Sequence, residues 1–229
     1  MLRLALILWL AALPAFAECR LALVLALDIS SSVDAEEDAL QRSGLAAALA
    51  SDEVQTAILS IPNAHVALAV FEWSGRYQQD MVLDWRLLRT SGDILAAADA
   101  IATSRRSYAE FPTALGYALG YSASIFAQGP ACWRKTLDVS GDGVSNDGFG
   151  PDLAYKNFPL EGVTVNGLTI GGDDQGLALY YQTELIRGPG AFVEEAAGFW
   201  DFERAMRRKL VRETQARAIG LLGAPVARY

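Results

Sequence analysis

Seven apolar residues in a row, Leu21 to Leu27, run straight into Asp28-Ile29-Ser30-Ser31-Ser32. An apolar run of this length, bounded by a polar cluster, suits a strand buried on both faces, and such strands belong to parallel sheets covered by helices. The residues that follow add chemistry. An Asp at the strand's end with hydroxyls two and four residues later places three hard oxygens around one point, and such oxygens suit Mg²⁺ or Mn²⁺.

The remaining pattern alternates strands with helices. Ser32 or Asp34 can cap a helix that opens on Glu36, Glu37 and Asp38, acids suited to a helix N-terminus, and runs through Leu40 and Leu45 to about Ala50. Ala64 to Trp73 reads as a second strand, and after the Ser74-Gly75 turn Gln78 to Leu83 returns as an edge strand. Ser91 caps Ile94 to Ala102, and Ala114 to Phe126 forms another apolar helix. Lys135 to Val139 is the next strand, ending at Asp142 before a glycine- and asparagine-rich loop. Val163 to Ile170 is a strand ending in Gly171-Gly172-Asp173-Asp174, Leu177 to Ile186 is helical, and Ala191 to Val193 is a short strand. Phe199 to about Thr214 is an amphipathic terminal helix with Arg204, Arg207, Arg208 and Lys209 on its wet side. The alternation predicts a doubly wound, mostly parallel α/β sheet with helices on both faces. There are no internal repeats and no low-complexity segment.

The first seventeen residues read differently. Arg3, the compact apolar stretch Leu4 to Ala12, Pro14 and the Ala15-Phe16-Ala17 cleavage pattern make a secretory signal peptide over 1–17. Its apolar stretch is too short to span a bilayer. A lipoprotein signal fits poorly, because Glu18 precedes Cys19 where a small residue is needed. About 210 residues then remain, enough for one large α/β domain over 18–215 and a C-terminal tail over 216–229. The expected location is periplasmic or secreted, with no later segment resembling a membrane span. A formal charge of −8 argues against non-specific nucleic-acid binding. Two cysteines in an oxidising compartment make one disulfide the default. A single histidine, His65, excludes most zinc-enzyme and Ser-His-Asp readings.

Two distant segments complete the oxygen set. Phe111-Pro112-Thr113-Ala114-Leu115-Gly116 puts Thr113 directly before a helix, and Ser140-Gly141-Asp142-Gly143-Val144-Ser145-Asn146-Asp147 puts Asp142 at a strand's carboxyl end. Ligands in open α/β sheets sit beyond those ends, near the switch point in strand order. Taken singly, each piece has a plainer reading. Ser30 to Ser32 can turn the chain and cap a helix, Asp142-Gly143 is an ordinary turn dipeptide, and Thr113 can be a cap. All three in order, each at a strand end or helix start, favour a metal site of Asp28, Ser30, Ser32, Thr113 and Asp142. The site leaves room for water or an outside ligand.

These three segments together resemble the metal-ion-dependent adhesion site (MIDAS) of von Willebrand factor type A (VWA) domains, written D-x-S-x-S, T, D. The resemblance covers the chain from Leu21 to about Arg212. It implies a Rossmann-like sheet in the order 3-2-1-4-5-6 with an antiparallel edge strand. It also implies that Ser30, Ser32 and Thr113 are direct or switchable ligands, and that Asp28 and Asp142 act directly or through water. Phe71-Glu72-Trp73-Ser74-Gly75 and the Ser-Gly-Asp-Gly variant at 140–143 are similar to a secreted bacterial subgroup, DUF1194. With the first and fourth strands as parallel neighbours, Cys19 and Cys132 fall near the end opposite the aspartates, where they can pair; two unpaired buried thiols are the alternative. Residues 104–112, with Arg105 and Arg106, depart from the neutral loop expected beside a cation.

Other chemistry is weaker. Asp138-Val-Ser140-Gly-Asp142-Gly143 matches an EF-hand start, but Phe149 stands where the bidentate Glu belongs. Asp28 as an aspartyl-phosphate nucleophile would want a second carboxylate where Ser30 stands. Asp173 and Asp174 can add rim charge, though solvated turn residues fit them better. His65 is expected at an edge or the surface, and Trp73, Trp85, Trp133 and Trp200 in core or interface. The leading expectation is a binding module whose Mg²⁺ or Mn²⁺ bridges to an Asp or Glu carboxylate of a partner protein. The alternatives are a metal-assisted hydrolase or phosphoryl-transfer enzyme, which lacks a credible general base, and a domain whose metal is only structural.

Overall fold

The computed structural model describes residues 18–171 and 175–215. The expected signal peptide, Asp173, Asp174 and the tail lie outside the described residues. Six strands form one sheet: β1 (Glu18–Asp28), β2 (Ala64–Trp73), β3 (Gln79–Leu88), β4 (Lys135–Gly141), β5 (Val163–Ile170) and β6 (Val193–Ala196). Their order is β3-β2-β1-β4-β5-β6. The edge strand β3 is antiparallel to β2, and every other pairing is parallel. The helices are α1 (Ala35–Ala50), α2 (Asp52–Ile58), α3 (Ser91–Ala102), α4 (Leu115–Gln128), α5 (Pro151–Asn157), α6 (Gln175–Tyr180) and α7 (Phe202–Thr214).

The apolar run works as an alternating strand between two cores. Leu21, Leu23, Leu25 and Leu27 face the core built by α1, α3 and α7, while Ala22, Val24 and Ala26 face the one built by α4, α5 and α6. Each buried leucine contributes roughly 2 kcal/mol before chain entropy is subtracted. This double burial fixes β1 at the centre of the sheet, so Asp28 emerges at the middle of its carboxyl edge. At the other end, Cys19 and Cys132 form a disulfide with a Cα–Cα distance of 4.5 Å.

Several elements differ from expectation, each for a local reason. β3 continues past Leu83 to Leu88, because an edge strand exposed on one face accommodates Asp84 and Arg86. Thr90, not Ser91, caps α3, since it pairs with Asp93 in a reciprocal capping box. The helix expected over Leu177–Ile186 is α6 followed by a π turn, Tyr181–Leu185. β6 lies at Val193–Ala196 rather than Ala191–Val193. Lys209 is fully buried, not on the wet side of α7, because Asp138 and Glu213 offer it carboxylates 3.2 and 3.1 Å away. His65 is buried within β2, which has strands on both sides. Trp73 is core, whereas Trp133 and Trp200 are exposed.

Candidate metal site at the carboxyl edge of the sheet

β1 ends on Asp28 and β4 on Gly141, so adjacent parallel strands deliver Asp28 and Asp142 to the same rim. Asp28 is fully buried. Its Oδ1 accepts the Ser30 N–H at 2.7 Å, which turns the chain sharply after the strand. Ser30 Oγ lies 3.2 Å from Ser32 Oγ, and Ser32 Oγ donates to Asp142 Oδ1 at 2.8 Å. The polar atoms thus run from the sealed Asp28 through buried Ser30 to exposed Ser32 and half-buried Asp142.

Thr113 arrives from the loop before α4 and is held by its backbone. Its N–H donates to Asn146 Oδ1 at 2.9 Å, and its carbonyl accepts from Asn146 N–H at 2.9 Å and Ser145 Oγ at 3.2 Å. Thr113 does not cap α4. Ser145 Oγ instead accepts the Leu115 N–H at 3.2 Å, reaching in from the loop after Asp142. That loop packs closely because position 116 is glycine: a Cβ there would sit 2.1 Å from the Phe149 carbonyl oxygen. Thr113 Oγ1 comes within 3.9 Å of where a Cβ on Gly143 would stand, beside Asp142. All five expected residues therefore converge on one rim.

The electrostatics suit a cation. Burial, and next the charge of Asp142, push the Asp28 carboxyl up to about 7, against the Ser30 N–H and hydroxyl and the more distant Arg106. Asp28 Oδ2 is buried with no hydrogen-bond partner among the described residues. Among those residues no three His, Cys, Asp and Glu side chains gather, and a cation at this rim would draw on hydroxyls beside the two carboxylates. Two carboxylates with three hydroxyls fit a hard divalent ion.

The surrounding residues were harder to foresee. Gln41 Nε2 on α1 donates to the Asp28 carbonyl at 2.9 Å. Its one signal was a polar residue four before Leu45, on the buried face. Glu72, buried in β2, pairs with Arg42 and accepts the Ser107 N–H at 2.7 Å, tying the 104–112 loop to the sheet. Of that loop's two arginines, Arg105 is exposed, while Arg106 is structural and donates to the carbonyls of Ile29, Ser30 and Val33 at 2.6, 3.0 and 2.7 Å. The guanidinium also donates to the carbonyls of Tyr108 and Ala109 in its own loop, so it braces the serine loop instead of competing with a cation. Beside Asp142 a groove of about 600 Å³ is lined by Asp34, Glu36, Glu37, Leu40, Phe199 and Trp200, among others.

A family model described as protein of unknown function DUF1194 matches residues 18–218. The chain belongs to that family. Among curated proteins none matches. Solved structures with the same fold include proximal thread matrix protein 1 from the mussel byssus, at TM-score 0.62 and 19% identity over 86% of this chain and 48% of that one. Another structure of that protein carries a zinc-occupied MIDAS motif, at TM-score 0.58 and 18% identity over 86% of this chain and 48% of that one. A von Willebrand factor type A protein from Catenulispora acidiphila has TM-score 0.57 and 18% identity over 86% of this chain and 43% of that one. BatB from Bacteroides thetaiotaomicron has TM-score 0.53 and 16% identity over 86% of this chain and 100% of that one. This DUF1194 chain spans about half the length of the mussel protein. At these identities the likeness concerns the fold, and the fold is that of a VWA domain.

Proposed function

We infer that this DUF1194 domain is a periplasmic or secreted binding module that uses Mg²⁺ or Mn²⁺, held by Asp28, Ser30, Ser32, Thr113 and Asp142, to engage a carboxylate on a partner protein. The observation that carries this is the chain of polar atoms from Asp28 through Ser30 and Ser32 to Asp142, with one Asp28 oxygen buried and unpaired. A bound dication would supply positive charge that the two carboxylates lack and present a coordination position to an anionic oxygen. The zinc-occupied motif of the mussel protein supports a divalent ion here. With no imidazole or thiolate at the rim, the oxygen set favours Mg²⁺ or Mn²⁺ over zinc.

The location is supported by the disulfide, which suits an oxidising compartment, and by residues 1–17 read as a signal peptide. Among the described residues no helix is long and apolar enough to cross a membrane. The hydrolase alternative gains nothing from the geometry. His65 pairs with Cys19, nine residues along β1 from Asp28, which puts it about 30 Å from the rim.

Calorimetry with Mn²⁺, Mg²⁺ and Zn²⁺ on wild type and Asp28→Ala tests the metal. Crosslinking in the native envelope with and without chelator tests the partner. Mn²⁺ bound equally by both proteins, or a crosslinked partner indifferent to both chelator and Asp28→Ala, overturns this reading.

A further inference from the structure

Tyr181 opens the π turn that follows α6, closed by the Ile186 N–H donating to the Tyr181 carbonyl at 3.0 Å. A π turn inserts a residue into helical phase and re-aims the side chain at its start, and such insertions recur at functional sites. Here the ring crosses two strands at glycines. A Cβ on Gly167 of β5 would lie 2.6 Å from Tyr181 Cδ1, and one on Gly141 of β4 would lie 2.5 Å from the Tyr181 hydroxyl. The same Gly141 position is 2.9 Å from Asp28 Oδ2. Two glycines on adjacent strands thus clear a lane that ends under the candidate cation site.

Both atoms at the end of this lane are buried and have no hydrogen-bond partner among the described residues. Leaving a buried donor or acceptor unpaired costs about 1–3 kcal/mol. A phenylalanine would fill the same lane without that cost, so packing alone does not explain the hydroxyl. We propose that Tyr181 is a positioning residue of the cation site: when the cation binds, its hydroxyl becomes the donor to Asp28 Oδ2 and sets the carboxylate's orientation toward the metal. This rests on the metal reading above. The ring stays un-ionised, and so remains a donor, because burial and then the charges of Asp28 and Asp142 raise its pKa well above the ordinary phenol value. Partners of this kind, behind the ligands themselves, tune metal sites, and removing one typically weakens metal binding about 10–100-fold.

The test is Tyr181→Phe, read by Mn²⁺ calorimetry and by thermal unfolding of the metal-free protein. We expect Mn²⁺ affinity to fall at least about tenfold, while the metal-free melting temperature is unchanged or rises. A merely structural tyrosine would show the reverse, a lower melting temperature with intact affinity, and that overturns the proposal. In wild type, adding Mg²⁺ should produce a tyrosine difference spectrum as a buried phenol gains an acceptor. A flat spectrum on a protein that binds Mg²⁺ overturns the proposal even if the variant does not fold. Wild type that binds neither ion overturns the metal reading, and this proposal with it. Wild type and variant binding equally well overturns the role of Tyr181 alone.

Discussion

Lys209 Nζ, on α7, lies 3.2 Å from Asp138 Oδ1 on β4, and both side chains are sealed from solvent. Glu213, which also accepts from Asn166 Nδ2 at 2.7 Å, shares the same ammonium. One lysine facing two buried carboxylates leaves excess negative charge, and a proton resolves it. Burial first, with Lys209 opposing and Glu213 reinforcing, pushes the Asp138 carboxyl up to about 8. Its folded value lies above its unfolded one, so its contribution to stability is complete below about pH 4 and is lost as pH rises through about 8. Asp138→Asn should flatten that slope in urea titrations run across pH. Lys209→Met should cost about 3–5 kcal/mol by stranding the carboxylates, and adding Asp138→Leu should restore a large part.

Asp28 links pH to metal binding. Raised from 3.8 to about 7 in the metal-free protein, it carries a proton that a cation must displace. Mn²⁺ affinity should therefore climb as pH rises toward about 7 and level off above it, with proton release detectable by calorimetry in buffers of different ionisation enthalpy. Affinity that is flat between pH 5 and 7 would count against this.

Thr113 separates partner from metal. Asp28, Ser30, Ser32 and Asp142 would still hold the ion in Thr113→Ala, so Mn²⁺ affinity should fall less than affinity for the chelator-sensitive partner. Equal losses would place Thr113 among the indispensable metal ligands.

Arg106→Ala should release the carbonyls of Ile29, Ser30 and Val33 together. Hydrogen bonds from a charged donor contribute about 1.5–3 kcal/mol. The serine loop should therefore loosen, with Mn²⁺ affinity lower by about tenfold and faster amide exchange confined to residues near 29–33. Tighter Mn²⁺ binding in this variant would mean that Arg106 acts by repulsion instead.

The Cys19–Cys132 bond closes 113 residues of sequence. Loop entropy of that length corresponds to roughly 4–5 kcal/mol. Reduction, or Cys19→Ala with Cys132→Ala, should lower stability by up to that amount while leaving Mn²⁺ binding intact, since the bond lies at the opposite end of β1 from Asp28. Loss of binding with an unchanged melting temperature would contradict this separation.

Much of the fold was legible because burial on both faces writes itself into composition. Leu21 to Leu27 has no polar residue, so it had to be a central strand, and whatever followed it had to emerge at the rim. That Asp28, Ser30, Ser32, Thr113 and Asp142 share one rim was readable because each lies at or just beyond a strand end or before a helix, where spacing along the chain becomes position in space. Lys209 was misread for the converse reason. A helix's charged face looks wet in sequence, and only the approach of Asp138 from β4 turns that position inward. Arg106 likewise looked like an intruder near a cation until the fold supplied the three carbonyls it braces.

The sequence by itself determined the sheet, its centre and the set of oxygens available at one edge, since these follow from hydrophobic periodicity and local chain geometry. Only the tertiary structure decided how those oxygens are held. Asn146 and Ser145 clamp Thr113 from 32 or 33 residues away. The lane over Gly141 and Gly167 that carries Tyr181 to Asp28 depends on close approach of an incoming ring. Contacts between segments distant along the chain leave no periodic trace, because each needs one residue of the right size at one crossing point.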